Sequence, residues 1–81
     1  MKAQDVAIDE IYIPVDRRKT LNLGTAETLA EDILENGQKT PIQVRLGKDR
    51  YVLVEGLHRL EACKLLGEKN ISAYLVQAKK F

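Results

Sequence analysis

Residues 51–67 read Y-V-L-V-E-G-L-H-R-L-E-A-C-K-L-L-G, and the clearest structural signal of the chain lies in this stretch. Its first four residues favour a β-strand, which leads to Gly56. After the glycine the apolar residues recur at helical spacing, at positions 57, 60, 62, 63, 65 and 66, until the pattern ends at Gly67. The stretch therefore predicts a strand that passes directly into a helix at Gly56.

The start of this predicted helix is a candidate binding site for an anion. The first backbone N–H groups of a helix have no carbonyl partner within it, and they lie at the positive end of the helix dipole. His58 and Arg59 occupy the first turn and add two side-chain donors. The pattern indicates a phosphate site. The same residues also fit a plain strand-to-helix corner, in which only Gly56 is needed and the other two are exposed.

Composition limits the classes of protein to which the chain can belong. Its 81 residues, 44% of them hydrophobic and 31% charged, fit one small domain over residues 1–81. A single cysteine excludes an internal disulfide, and one cysteine with one histidine cannot form a zinc site without carboxylates or another chain. There is no apolar run of about 18 residues and no signal-peptide core, so we expect a cytoplasmic protein with no membrane partner.

The net charge of +1 gives the chain no general attraction to nucleic acid. The candidates for a local contact with nucleic acid, or with a bound triphosphate, are the basic run Arg17, Arg18 and Lys19 together with Arg45. The basic run also fits a solvated loop. We therefore expect contact with DNA to be mainly indirect, through a partner.

The N-terminal half predicts a bent strand, a loop and a helix. The β-favouring residues 6–13 change the parity of their apolar positions after Ile8, which indicates a bend or two short strands. Residues 16–24 have no clear period and are predicted to form a loop. Residues 25–36 predict a helix that Thr25 caps and the following glycine ends. Its apolar stripe comprises Ala26, Leu29, Ala30, Ile33 and Leu34.

The C-terminal half predicts a hairpin, a helix and a last strand. Residues 42–46 alternate strictly, with the even-numbered residues facing inward, and residues 50–55 return as the hairpin partner. After the helix, residues 71–77 alternate again, and residues 78–81 follow as a short tail. This order of elements predicts an α+β fold, a small mixed sheet with helices packed on it.

Three segments, in this order along the chain, resemble the ParB/sulfiredoxin superfamily. They read I-Y-I-P-V-D-R-R over residues 11–18, L-A-E-D-I-L-E-N-G-Q-K-T-P-I-Q-V-R over residues 29–45 and G-L-H-R-L-E-A-C-K-L-L-G over residues 56–67. The glycine turn is spelled Gly-x-Arg-Arg in ParB partition proteins and Gly-Cys-His-Arg in sulfiredoxins, and here it reads Gly-Leu-His-Arg. The resemblance implies a ParB/sulfiredoxin-like fold over nearly the whole chain.

The resemblance also implies that the chain binds a nucleotide with its Mg²⁺ ion. ParB domains bind and hydrolyse CTP, sulfiredoxins bind ATP, and a third branch of the superfamily uses ADP to phosphorylate free serine. All of them hold nucleotide phosphate on the glycine turn. Carried over by position, the implied nucleotide-binding residues are Gly56, Leu57, His58 and Arg59 in the turn and Thr28, Gly37, Gln38, Thr40 and Arg45 elsewhere.

Several departures from the superfamily patterns limit the implied activities. Leu57 stands where sulfiredoxins keep the catalytic cysteine, so sulfiredoxin activity is not expected. Cys63 lies about two helical turns, roughly 10 Å, further along and on the apolar face, where a cysteine acts as a small hydrophobe. Thr25 replaces a sulfiredoxin lysine, and residues 1–81 contain neither the Glu-Asn-x-x-Arg motif of ParB nor a pattern of its DNA-reading domain. If a nucleotide is bound, we expect another chain to complete the site.

Three functions fit these observations. The first is a ParB-like module that binds a nucleoside triphosphate, with CTP as the candidate nucleotide. It would act in DNA partition or transcriptional regulation, with a protein partner or as a homodimer. The second is a small phosphotransferase or nucleotide hydrolase, for which a carboxylate base is needed. The third is a non-catalytic protein-interaction module. The candidate bases for the second function are Glu55, Glu31 and Asp32.

Overall fold

Five strands form one mixed sheet in the order β1-β5-β3-β4-β2 in the computed structural model, which describes residues 2–38 and 40–77. Two longer helices, α2 and α3, pack against each other, and α3 also contacts β3 of the sheet. The strands are β1 (Gln4–Ala7), β2 (Ile11–Tyr12), β3 (Ile42–Leu46), β4 (Tyr51–Glu55) and β5 (Asn70–Leu75), and the helices are α1 (Val15–Arg18), α2 (Leu23–Asn36) and α3 (Leu57–Leu65). The predicted α+β fold is confirmed.

The predicted bend in the first strand is confirmed, and it separates the two edges of the sheet. A 3-10 turn, Ile8–Glu10, divides β1 from β2. β1 pairs antiparallel with β5 at one edge, and β2 pairs parallel with β4 at the other. Since three residues span at most about 10 Å, these two edges lie close together and the sheet must curl.

The predicted hairpin is confirmed, with β3 and β4 antiparallel and a register shift between Gln43 and Val44. β5 then pairs parallel with β3 through a crossover that contains α3. Ile42 and Val44 are buried as predicted, whereas Leu46 is 64% exposed, and its inward placement was wrong. Leu46 is the last residue of the strand and pairs with Tyr51 beside the turn, so it lies beyond the part of the sheet that buries the preceding residues.

The first long helix begins two residues earlier than the sequence predicts. Its N-cap is Asn22, whose side-chain oxygen accepts the Thr25 N–H, so Thr25 is not the cap. The sequence misplaced the cap because threonine and asparagine are both favoured there and the true cap lies inside the predicted loop. The short helix α1 overlaps the predicted loop at residues 16–18, and all four residues of α1 are exposed.

The core lies between the sheet and the two long helices. Its largest fully buried side chains are Ile42, Val44, Leu60, Cys63 and Ile71. Each aliphatic side chain of this size contributes about 1.5–3 kcal/mol when it is removed from water. Two leucines that the helical periodicity placed on apolar faces are exposed instead, because they lie at the margins of the buried stripes: Leu34 at 75% and Leu65 at 57%. The predicted tail, residues 78–81, lies outside the described residues.

Candidate phosphate-binding site

The strand-to-helix turn lines a pocket of about 400 Å³. Turn residues 56–59 form one wall, and Glu55 precedes them at the end of β4. Leu29 of α2 and Leu53 of β4 add apolar surface. The segment between β2 and α2 contributes its polar residues Arg17 and Thr20. The pocket therefore combines an apolar wall with the cations and hydrogen-bond donors that suit a phosphorylated ligand.

Gly56 is required at this turn for two independent reasons. Its φ of 108° lies in the region that residues with a Cβ atom rarely adopt. A Cβ built on Gly56 would also lie 2.6 Å from Cγ2 of Ile42 and 2.9 Å from its Cβ, far inside van der Waals contact. A glycine offers no side-chain oxygen to cap the helix, so the amides of residues 57–59 have no partner one turn earlier and lie beside the pocket.

Two charged side chains face each other across the pocket. Nη1 of Arg17 lies 3.9 Å from Oε2 of Glu55, and the two side chains are 46% and 63% exposed. A long, solvated ion pair of this kind contributes little to stability, since water screens it and both side chains lose freedom in making it. Both groups are therefore free to exchange this contact for one with a ligand.

His58 is held by a residue 36 positions earlier in the chain. Its Nε2 accepts the backbone N–H of Asn22 at 3.0 Å. Asn22 is the N-cap residue of α2, so this hydrogen bond joins the first turn of α3 to the start of α2. The sequence treated His58 as a donor; in this geometry Nε2 is an acceptor and the single proton of the neutral ring is on Nδ1.

Cys63 is a structural thiol rather than a nucleophile. It is almost fully buried, and its Sγ donates to Oε1 of Gln38 at 3.6 Å. Burial is the main reason why the pKa of Cys63 is raised, the charge of Glu68 adds to that effect, and Arg59 opposes it. A raised thiol pKa means less thiolate at neutral pH, as expected for a cysteine on the apolar face.

The other implied nucleotide-binding residues do not line this pocket. Arg45 pairs with Val52, whereas the pocket residue Leu53 pairs with Val44. Directly opposed residues share a face of the sheet and successive residues alternate, so Arg45 lies on the face away from the pocket. Thr28 is exposed on α2, and its hydroxyl donates to the carbonyl of Gly24 at 3.0 Å.

Residues 37, 38 and 40, between α2 and β3, make contacts within the chain and not with the pocket. Gly37 ends α2 with a φ of 76°. Nε2 of Gln38 donates to the carbonyl of Thr40 at 3.1 Å, while its Oε1 accepts from Cys63. Ile42, which follows this segment, is the residue against which Gly56 packs. Gln38 therefore links α3 to the end of α2, and residues 37, 38 and 40 lie outside the pocket.

The three residues of the basic run lie in different surroundings. Arg17 lines the pocket, whereas Arg18 donates from Nε to the carbonyl of Ile13 at 3.0 Å and lies 5.8 Å from the ring centre of Tyr12. Lys19 is the exposed C-cap residue of α1. Of the three, Arg17 is the residue that lines the pocket with the Gly56 turn.

Of the three candidate bases, Glu55 alone lines the pocket. Glu31 and Asp32 are exposed on α2, where Oδ1 of Asp32 accepts from the amide of Asn36 at 2.9 Å. Sequence reasoning did not assign Thr20, Leu29 or Leu53 to the site, and it offered Arg17 as a residue that flanks a bound triphosphate or nucleic acid. The sequence pointed toward only one of these three residues, Leu53, which belongs to the predicted strand that leads into the turn.

Over residues 2–38 and 40–77, no group of three or more His, Cys, Asp or Glu side chains is arranged to hold a metal ion. Within the same ranges, none of the helices has the length and apolar character needed to cross a membrane.

The family model of the ParB N-terminal domain matches residues 1–80 of the chain. Among curated proteins, the chain is 35% identical over 71 residues to the probable chromosome-partitioning protein ParB of Campylobacter jejuni and 36% identical over 73 residues to that of Helicobacter pylori. These alignments cover 86% and 89% of the chain. The chain spans about a quarter of the length of these relatives, 26% and 25%.

Solved structures share the fold. Sulfiredoxin from Arabidopsis thaliana superposes with a TM-score of 0.84 at 23% identity, over 96% of this chain and 88% of that one. A C-terminally truncated ParB from Caulobacter crescentus, complexed with CTP-gamma-S, gives 0.83 at 24% identity, over 99% and 47%. A free serine kinase in complex with ADP gives 0.81 at 20% identity, over 94% and 31%. At these identities the likeness establishes the fold.

Proposed function

This chain belongs to the ParB N-terminal domain family, and from that membership we propose that it binds a nucleoside triphosphate with its phosphates on the Gly56 turn. The observation that carries the proposal is the pocket, in which His58 and Arg59 of this turn lie together with Arg17. The solved ParB structure that shares the fold contains CTP-gamma-S, which supports CTP as the candidate nucleotide.

The turn offers a triphosphate two kinds of favourable contact. The free amides of residues 57–59 lie at the positive end of the dipole of α3, a nine-residue helix, where an anion is stabilised. Arg59 belongs to the same turn, and Arg17 approaches from α1. Two guanidinium groups with free backbone amides suit several phosphate oxygens at once, because each arginine can bind phosphate through two N–H groups.

The pocket also offers a surface for the nucleoside. Leu53 and Leu57 are buried at its base, and the half-buried Leu29 faces it from α2. A volume of about 400 Å³ lies in the range of small-ligand sites, roughly 300–1,000 Å³. Mg²⁺ would arrive with the triphosphate and be held mainly by its phosphates and by water, since Glu55 is the one carboxylate among the residues that line the pocket.

We infer further that the nucleotide-bound chain acts in chromosome partition with a partner. Two curated relatives that are probable chromosome-partitioning proteins support this role, although each is about four times as long as the chain. The separation of Arg17 from Arg18 leaves no continuous basic stripe for DNA in the described residues 15–20, so contact with DNA is assigned to the partner or to a second copy.

Isothermal titration calorimetry with CTP, ATP, GTP and ADP in the presence of Mg²⁺ tests the proposal. We expect saturable binding that Arg59→Ala weakens by about 10- to 100-fold, the effect of losing one charge-assisted hydrogen bond. Arg17→Ala should weaken binding in the same direction. Lys19→Ala is the matched control, because it removes the same charge from the same segment but does not line the pocket.

If the pocket binds phosphate through Arg17 and Arg59, both arginine variants should bind nucleotide more weakly than the Lys19 variant. Equal binding by all three would contradict the assignment of the Gly56 turn, and no heat with any nucleotide would contradict nucleotide binding altogether. In the second case the protein-interaction module becomes the better account of the domain. Circular dichroism of each variant controls for loss of fold.

A second candidate function is hydrolysis or transfer of the terminal phosphate, and the position of Glu55 favours it. This carboxylate lies at the end of β4, directly before the phosphate turn, and it lines the same pocket. There it could take a proton from water or a hydroxyl group that attacks the terminal phosphate. Release of phosphate from CTP or ATP that Glu55→Gln abolishes, with nucleotide affinity retained, would support this function. No release at high protein concentration would exclude it.

A further inference from the structure

The segment that brings Arg17 to the pocket has little packing of its own. All residues from Val15 to Thr20 are exposed, and Leu21, which follows them, is half-buried against the core. We call residues 15–22 the arm. Since apolar burial is what usually fixes a surface segment, the position of the arm must depend mainly on its hydrogen bonds.

Bonds in both halves of the arm attach it to the domain. In its first half, Nε of Arg18 donates to the carbonyl of Ile13, a buried residue that lies two positions before the arm. At its end, the Asn22 amide donates to Nε2 of His58 at 3.0 Å. Between them the arm is held by local bonds, including those from the amide and hydroxyl of Thr20 to the carbonyl of Arg17, at 3.0 and 2.7 Å.

The bond at the end of the arm joins two parts of the proposed phosphate site. His58 belongs to the turn, while Arg17 and Thr20 line the same pocket from the arm. The arm ends at Asn22, which also caps α2, so a shift at this residue would move both the arm and the first turn of α2. We propose that His58 is a positioning residue, which accepts the Asn22 amide at Nε2 and thereby holds Arg17 over the phosphate turn.

This inference rests on the proposed function for its nucleotide readout, but the hydrogen bond itself can be tested without any ligand. An imidazole nitrogen that accepts a hydrogen bond carries no proton, so the neutral ring must be protonated at Nδ1. Long-range ¹H–¹⁵N correlation spectra of the unliganded protein at pH 8 report which nitrogen is protonated. We expect protonated Nδ1 and unprotonated Nε2 for His58. A ring protonated at Nε2 would overturn the proposal whether or not nucleotide binds.

Variants at His58 separate a hydrogen-bond acceptor from a cation. His58→Gln keeps an acceptor, whereas His58→Arg adds a fixed positive charge beside the phosphates and has no acceptor at all. Amide hydrogen exchange of Asn22 should be protected in the wild type, partly protected in the Gln variant and unprotected in the Arg variant. Protection that survives His58→Arg would overturn the proposal.

The positioning role has its own signature in nucleotide affinity. If His58 acts through Arg17, then His58→Ala should weaken CTP binding in the wild type and change it by less than about twofold when Arg17 is already alanine. His58→Ala alone should weaken binding by about 2- to 12-fold, the factor that one hydrogen bond supplies. Strictly additive losses would show that His58 contacts phosphate independently and would overturn the positioning role. If CTP does not bind at all, the proposed function fails, and the tautomer and amide exchange still decide whether His58 holds the arm.

Discussion

Replacing Gly56 with alanine would place a methyl group at the tightest point of the strand-to-helix turn. The φ of 108° costs a residue with a Cβ about 1–2 kcal/mol relative to glycine. The new Cβ would lie 2.6 Å from Cγ2 of Ile42, a buried residue of β3 that cannot move freely. Overpacking of this kind costs about 1–3 kcal/mol. We therefore expect Gly56→Ala to lower the free energy of unfolding by about 2–5 kcal/mol, out of the roughly 5–15 kcal/mol of a typical domain.

Urea denaturation followed by circular dichroism measures this loss, and Gly67→Ala is the matched control. Gly67 follows α3 with a φ of 75°, but a Cβ there would meet no atom within 4 Å. Its substitution should cost only the backbone contribution, about 1–2 kcal/mol. The difference between the two variants isolates the contact with Ile42. Equal losses would refute the reasoning that Gly56 is required because the turn packs closely on β3.

Three further predictions concern the helices and the thiol. Asn22→Ala should lower the free energy of unfolding by about 1 kcal/mol because it removes the cap of α2, and Thr25→Ala by less than about 0.5 kcal/mol, as measured by urea denaturation. Ile33→Ala should cost about 2–5 kcal/mol, whereas Leu34→Ala, at an exposed position, should stay within about 0.5 kcal/mol; equal losses would contradict the burial pattern. At pH 8 a thiol reagent should label Cys63 at least about 100-fold more slowly in the native protein than in urea, because burial both shields the thiol and raises its pKa, and equal rates would contradict this.

Local patterns predicted the elements of this fold because each element repeats a simple period. The alternation of residues 42–46 and the helical spacing after Gly56 each survive in the structure. The burial of individual residues was predicted wrongly where it depends on a neighbouring element, because periodicity does not show which element packs over a residue. Leu34 and Leu65 fit helical stripes, but the neighbouring elements bury residues beside them instead.

The site was predictable only in part, for a related reason. The turn and its glycine are contiguous in sequence, so one stretch predicted that residues 56–59 form a strand-to-helix turn, and these residues line the pocket. The approach of Arg17 depends on where the arm lies, and the bond from Asn22 to His58 joins residues 36 positions apart. Such contacts depend on the tertiary structure, and the spacing of residues along the sequence does not predict them. Arg45 was carried over by resemblance, and strand pairing places it on the other face.

If the amides at the start of α3 bind nucleotide phosphate, titration of ¹⁵N-labelled protein with CTP and Mg²⁺ should shift their resonances. We expect the largest amide shift changes, which saturate with CTP, at residues 57–59, followed by those of the arm. The amides of β1, at the edge of the sheet opposite β2, should stay unchanged. Saturable changes that cluster elsewhere, or spectra that remain unchanged at millimolar CTP, would contradict binding of nucleotide phosphate at these amides.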